Sequence, residues 1–320
     1  MIPASLRNLA RGVFVALMLG AALHAPHLAA ESLDYRLEPR KIADDTWVLI
    51  GKTEDFSRGN GGNIVNTAFV VTADGVVVID SGPSRLYAEQ MRRAIARITP
   101  KPVIRVFNTH YHPDHFLGNQ VFADAPTAAL ASTIAGQRQE GAAFTDNVYR
   151  LSGDWIKGTE STPAREAVGP GVTVIGNHEF ELMALSGHTD GDLVILDRST
   201  GVLFAGDLVF YNRAPTTPHA TVGQWFAALD RLDAISYRTM LPGHGDPVSD
   251  SRAVQQTRNY LRWVESTLRQ AAERGDEMAE VLGLAVPAEF AAIPLSREEF
   301  ARSVAHLYRR YEAATLSRPR

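Results

Sequence analysis

Asn108-Thr109-His110-Tyr111-His112-Pro113-Asp114-His115 is the stretch whose reading decides the fold. Three of the chain's 10 histidines fall within six of its positions. His110 and His112 are two residues apart, so an extended chain leaving a strand at Val103–Phe107 points both to one side. Pro113 keeps His112 out of helical geometry and enforces a turn. Asp114 and His115 project from that turn, where a helix running through Gly118 to Phe122 is expected. One short segment can then serve two adjacent metal ions from its two arms. A lone histidine is more often a packed or solvated side chain, and His178, His219 and His306 read that way. The cluster does not.

Three further segments complete the set. Ser186-Gly187-His188-Thr189, Phe204-Ala205-Gly206-Asp207 and Leu241-Pro242-Gly243-His244-Gly245-Asp246 follow apolar stretches. Each is expected to put one ligand just past a strand and beside glycine, where backbone can approach a metal closely. The chain has no cysteine, which excludes disulfides, thiolate ligands and a cysteine nucleophile. Any metal must be held by His, Asp or Glu.

The surroundings are those of an ordinary globular protein. The 320 residues are 45% hydrophobic and 21% charged, enough for one large domain or two modest ones. That excludes a collagen-like, low-complexity or wholly disordered chain. A formal charge of −4 offers no basic surplus, so no nucleic-acid partner is expected. Residues 1–30 read as a secretory signal peptide. Arg7 and Arg11 precede an apolar run from Gly12 to Leu23, and Leu28-Ala29-Ala30 closes it. The run is shorter than the roughly 20 residues of a membrane span. A periplasmic protein with no stable span after cleavage is expected.

Strand patterns alternate with helical ones from Thr46 to about Asp250, giving a catalytic domain over residues 31–250. Amphipathic helices at Ser251–Arg274 and Arg297–Ala314 form a C-terminal extension, residues 251–320, expected to pack on it. Glu140–Ala167 reads as irregular and polar, a surface insertion rather than a lid.

The HxHxDH pattern with its three glycine-flanked ligands resembles the metallo-β-lactamase superfamily over about Thr46–Pro247. The resemblance implies an α+β fold, a four-layer αβ/βα sandwich with a dinuclear metal site along one edge. It implies that His110, His112 and His188 hold one Zn²⁺ and that Asp114, His115 and His244 hold a second. Asp207 would bridge them, and Asp80 would orient a ligand histidine from behind. Iron or manganese also suits such a donor set.

Asp207 stands where the major subclass of true lactamases has cysteine, so the ligand set is more like that of glyoxalase II and lactonases. The whole layout, including Asn212-Arg213-Ala214-Pro215, most resembles quinoprotein relay system zinc metallohydrolases. That implies a periplasmic quinoprotein system and pyrroloquinoline-quinone-dependent oxidation.

The reaction so implied is attack by a metal-bridging hydroxide on a small ester, thioester, lactone or amide. Asp114 would be the catalytic residue that orients the hydroxide and receives a proton. Residual positive charge would stabilise the oxyanion. Tyr111, Asn60 and Arg213 are substrate candidates, with Arg58, Asn63 and His219 near them. The Arg58–Gly62 stretch would form a flap, and an Arg213 contact would favour an anionic substrate. Two alternatives stand beside this reading. One is a β-lactamase of the cysteine-free subclass; the other is a metal-bearing accessory protein that binds a quinone or its dehydrogenase.

Overall fold

Side chains that alternate between the two faces of each strand explain the layers of this computed structural model, which describes residues 33–316. The expected signal peptide, residues 1–30, lies outside the described residues. β1 (Arg40–Ala43), β2 (Thr46–Leu49), β3 (Thr67–Val71), β4 (Val76–Ile79), β5 (Val103–Phe107), β6 (Thr127–Leu130) and β7 (Glu166–Val168) lie side by side in chain order. Pairing is antiparallel from β1 to β4 and parallel from β4 to β7. The second sheet holds β8 (Gly171–Ile175), β9 (His178–Leu185), β10 (Asp192–Asp197), β11 (Val202–Phe210) and β12 (Thr239–His244), in the order β12-β11-β10-β9-β8.

β4 shows how the sequence makes a buried layer. Val76 and Val78 face α1 (Arg85–Ile98), whereas Val77 and Ile79 face the other sheet. Successive side chains of a strand point to opposite faces, so an unbroken apolar run is what a strand covered on both sides requires. Phe180, Leu193, Ile195 and Phe204 of the second sheet meet Val77, Ile79 and Phe107 of the first in the central layer. On the far face of the second sheet, Leu203 and Ala205 pack under α4 (Val222–Asp233) and α5 (Arg252–Arg274). The result is an α+β sandwich with helices outside both sheets. At the start of α1, the Ser84 hydroxyl accepts from Tyr87 N at 3.0 Å, capping the helix at the observed boundary.

Three local expectations are corrected. Glu140–Ala167 is largely ordered: α3 (Ala131–Ser152) runs through its first half, a 3₁₀ turn follows at Gly153–Ile156, and β7 ends it. The weak amphipathicity of α3 arises because the face it buries carries polar or small residues, Thr133, Gln137, Gly141 and Ser152, so no apolar stripe shows in the sequence. The helix expected through Gly118–Phe122 is instead a short α2 (Pro113–Phe116) and a separate 3₁₀ turn at Asn119–Phe122. Asp207 lies inside β11, not past its end. Pairing with β12 slips around Gly206, whose φ of +54° suits glycine, and the irregularity re-aims the next side chain.

α5 serves two cores. Ala253, Val254 and Leu261 join the layer beneath the second sheet, while Tyr260, Val264 and Leu268 face the other C-terminal helices. These are α6 (Met278–Gly283), α7 (Ala288–Ala291) and α8 (Ser296–Leu316). Among the described residues, no helix is long and apolar enough to cross a membrane.

Candidate metal centre

β4 and β5 are parallel neighbours, and their C-terminal ends deliver Asp80 and the Asn108–His115 segment to one edge of the sandwich. His188 follows β9, Asp207 interrupts β11, and His244 ends β12. Donor atoms of His110, His112, His188 and Asp207 lie within 4.8 Å of one another, and so do those of Asp114, His115 and His244. All seven side chains are buried.

Asp207 is the hinge of the arrangement. Its Oδ2 lies 3.9 Å from His110 Nε2, 3.4 Å from His188 Nε2 and 3.2 Å from His244 Nε2. Its Oδ1 lies 3.2 Å from His115 Nε2. Asp114 Oδ2 is 3.4 Å from His244 Nε2 and 3.8 Å from His115 Nε2. Ligands about 2.0–2.2 Å from a tetrahedral zinc-type ion stand about 3.3–3.6 Å from each other, a spacing that these gaps of 3.2–3.9 Å bracket. His110 Nε2, His115 Nε2 and Asp207 Oδ1 are buried with no hydrogen-bond partner. Buried polar atoms are normally paired. Lone pairs converging from seven residues fit two divalent cations.

Electrostatics agree. Burial first, then neighbouring imidazoles, hold His110, His112 and His188 well below the ordinary histidine range, so they are neutral ligands. Burial pulls His115 down as well, but Asp207, Asp80 and Asp114 together outweigh it and raise it well above that range. This nitrogen sits in a negative field that a metal cation would neutralise.

The supports are specific. His115 Nδ1 lies 2.8 Å from Asp80 Oδ2, and Asp80 also accepts from Thr109 N and Thr109 Oγ1, each at 2.8 Å. Asp80 therefore sits behind His115. His244 Nδ1 donates to the Ile64 carbonyl at 2.7 Å. Gly243 is needed for closeness: a Cβ there would fall 1.9 Å from Asp207 Oδ1.

Sequence reasoning missed two supports. Asp192 accepts from His188 N at 3.1 Å and from Thr189 Oγ1 at 2.7 Å, fixing the turn that presents His188. The Thr189-x-x-Asp192 spacing was its available signal. Asn66 Nδ2 donates to the carbonyls of Pro242 at 2.9 Å and Gly245 at 2.6 Å, clamping the His244 loop to the first sheet. Nothing near Asn66 in sequence announces that.

A cavity of about 210 Å³ opens over His112, Asp114, Asp207 and His244. Phe56, Ile64, Phe144, Leu151 and Pro218 give it apolar walls, and Asp55, Thr216, Arg213 and Arg302 a charged one. Arg213 is on that wall but already engaged: it donates to Glu299 Oε1 at 3.3 Å and to the Ala214 carbonyl at 3.2 Å. Arg302 donates to Glu299 Oε1 at 2.8 Å and pairs with Asp55. The expectation of Arg213 as a free contact for an anionic substrate gives way to a joint between the loop after β11 and α8.

Asn60 is likewise committed. Its side chain accepts from Ser57 N at 3.1 Å and Gly62 N at 2.9 Å and donates to Glu54 and to the Asp55 carbonyl. It closes its own loop rather than reaching a substrate. Arg58 holds Trp155 Nε1 through its carbonyl at 3.0 Å. The Tyr111 ring packs beside those of His112, Phe144 and His219 and is not among the cavity-lining residues. His219, which the sequence reads both as an ordinary histidine and as a neighbour of the substrate candidates, lines the cavity. Phe144 and Leu151 reach it from α3, the helix the sequence concealed.

Comparison with known proteins extends this picture. A family model described as the metallo-beta-lactamase superfamily matches residues 60–244. A hydroxyacylglutathione hydrolase of Erythrobacter litoralis is 30% identical over 164 residues, 51% of this chain and 55% of that protein. The chain thus spans about half the length of that relative. An acyl-coenzyme A thioesterase of Gallus gallus is 24% identical over 231 residues, covering 62% of this chain and 79% of that one. The solved structure of a beta-lactamase domain protein from Burkholderia ambifaria aligns with a TM-score of 0.62 at 17% identity, over 89% of this chain and 91% of that one. At that identity the likeness is one of fold.

Proposed function

The chain belongs to the metallo-beta-lactamase superfamily, and from that premise we propose that it is a dinuclear zinc hydrolase of small carbonyl substrates: an ester, thioester, lactone or amide. The observation that carries the reading is the convergence of seven buried side chains in two adjacent groups, Asp207 among them, with partnerless nitrogens at His110 and His115. Two zinc ions held by His110, His112 and His188 and by Asp114, His115 and His244, with Asp207 between, would supply Lewis acidity and activate water at neutral pH.

The chain's own groups do the rest. Asp114 faces the cavity beside His244 and is placed to orient the attacking oxygen and take its proton. Phe56, Phe144 and Leu151 offer an apolar wall to the group next to the scissile bond. The cavity, about 210 Å³, is open to solvent and small beside the roughly 300–1,000 Å³ of ordinary ligand pockets, so the rest of a larger substrate would lie outside it.

In this reading the leader at residues 1–30 sends the protein to the periplasm, where it serves a quinoprotein system and pyrroloquinoline-quinone-dependent oxidation. Hydrolytic relatives by name, one hydroxyacylglutathione hydrolase and one acyl-coenzyme A thioesterase, support the bond class. Elemental analysis of protein isolated without added metal, followed by a panel of 4-nitrophenyl esters, thioesters, lactones and a chromogenic cephalosporin, is the test. About two zinc ions per chain with turnover of an ester, thioester, lactone or amide sustains it. Full metal with no hydrolysis of any of them rejects it in favour of the quinone-binding accessory role.

A further inference from the structure

His112 differs from the other metal-facing histidines in what stands behind it. Behind His115 is a carboxylate, behind His244 a backbone carbonyl and behind His110, at 3.1 Å, the Thr109 hydroxyl, which gives its own proton to Asp80; all three accept. His112 Nε2 instead lies 2.8 Å from Nδ1 of His219, a second imidazole. A neutral imidazole carries one N–H, and its position on one ring dictates what a neighbouring ring can do.

We infer that His219 is the positioning residue that fixes His112 in its metal-facing tautomer and, in doing so, is left with an Nε2–H donor. The inference rests on the metal-centre reading above. His112 Nδ1 faces the basin, 2.8 Å from His188 Nε2. If both nitrogens bring lone pairs to one cation, the His112 proton sits on Nε2. His219 Nδ1 then has to accept it, and the His219 proton has to sit on its own Nε2. The ring is held beside Tyr111, with centroids 5.4 Å apart, and beside Phe144 at 6.3 Å. His219 is half-buried and lines the cavity, so the outward donor belongs to the space a substrate oxygen would share.

Histidine-selective ¹⁵N NMR and competitive Zn²⁺ titration of the mature protein test this without any substrate. The zinc-loaded wild type is expected to show His112 and His219 both as Nε2–H tautomers. His219→Ala is expected to lower zinc affinity about 10–100-fold, with unchanged circular dichroism. His219→Asn, whose Oδ1 takes the place of Nδ1 as acceptor, is expected to restore most of it. An Nδ1–H tautomer at His219, or an Ala variant that binds zinc like the wild type, would overturn the inference. Failure of the wild type to bind zinc overturns the metal centre and this inference together. Tight zinc binding with the expected tautomers and no hydrolysis supports it while telling against the enzymatic reading.

Discussion

Two charged regions border the same cavity, and burial means opposite things in them. In the wall formed by Asp55, Arg302, Glu299 and Arg213, each cation meets a carboxylate. In the basin below, one carboxylate, Asp207, faces four imidazole nitrogens, while His112 and His188 point nitrogens at each other across 2.8 Å. The wall's opposite charges are matched, even though Arg213 Nε and Glu299 Oε2 have no hydrogen-bond partner. The basin has lone pairs with nothing to receive them. Arginine next to a cavity is therefore a structural joint here, and histidine a seat for a cation.

The largest effect that could break this contrast is at the bridge. Asp207→Ala removes the shared acceptor of both donor groups, so zinc content should fall to near zero. Turnover should fall by a factor of about 10³ or more. Elemental analysis and steady-state rates check it; a variant that keeps both ions would show that Asp207 is a bystander.

Next is the centre of the wall. Arg213 is 3% and Glu299 0% exposed, so losing one partner leaves an uncompensated buried charge. Glu299→Ala should cost about 3–5 kcal/mol of stability in a denaturant titration. The protein that does fold should hold its zinc as before. Loss of metal with little loss of stability would reverse the roles assigned to the two regions.

An intermediate effect separates them by pH. His110, His112 and His188 are held low by burial first and by neighbouring imidazoles, whereas an unfolded chain takes up these protons near pH 6.5. As pH falls below that value, the unfolded state binds protons that the folded basin refuses, and stability falls. His115 acts the other way, because Asp207, Asp80 and Asp114 outweigh its burial and favour the folded state as it protonates. Its gain is complete by about pH 6.5, where the unfolded His115 is protonated as well, so below that value the three depressed groups set the slope. The unfolding free energy of the metal-free protein, from denaturant titrations, should drop from about pH 6.5 downward, by about 1.4 kcal/mol per pH unit for each net proton. Zinc should oppose the drop until the ligands protonate. A profile that stays flat or rises below pH 6.5 would mean that His110, His112 and His188 are not held low in the folded basin.

How much of this was legible in the chain depends on distance along it. His110, His112, Asp114 and His115 share one turn, so their spacing alone announces a common purpose, and glycine beside His188, Asp207 and His244 marks three more close approaches. The two sheets were legible too, because runs such as Val76-Val77-Val78-Ile79 have few alternatives to a doubly covered strand. What failed had long-range causes. α3 shows no apolar stripe because its buried face is built largely from Thr133, Gln137, Gly141 and Ser152, whose burial depends on what packs against them. Arg213 looked free because Glu299 lies 86 residues away on α8. His219 looked ordinary because its partner is 107 residues back. Pairing across such separations is set by packing, and one sequence carries no local trace of it.

The smallest effect tests the outer end of the wall. Arg302 and Asp55 are 36% and 34% exposed, so water screens their attraction and each long side chain gives up rotamer freedom to hold it. Asp55→Asn should therefore cost no more than about 1 kcal/mol, against several for Glu299→Ala at the buried end. Its zinc content should be unchanged, since Asp55 touches no metal-facing group, and salt should narrow the difference from wild type because exposed pairs are screened. Denaturant titrations at low and high ionic strength measure both quantities. A cost as large as that at Glu299 would show that the loop carrying Asp55 is sealed against α8 in solution, making the whole wall one buried unit; a small, salt-sensitive cost leaves Glu299 alone as its anchor.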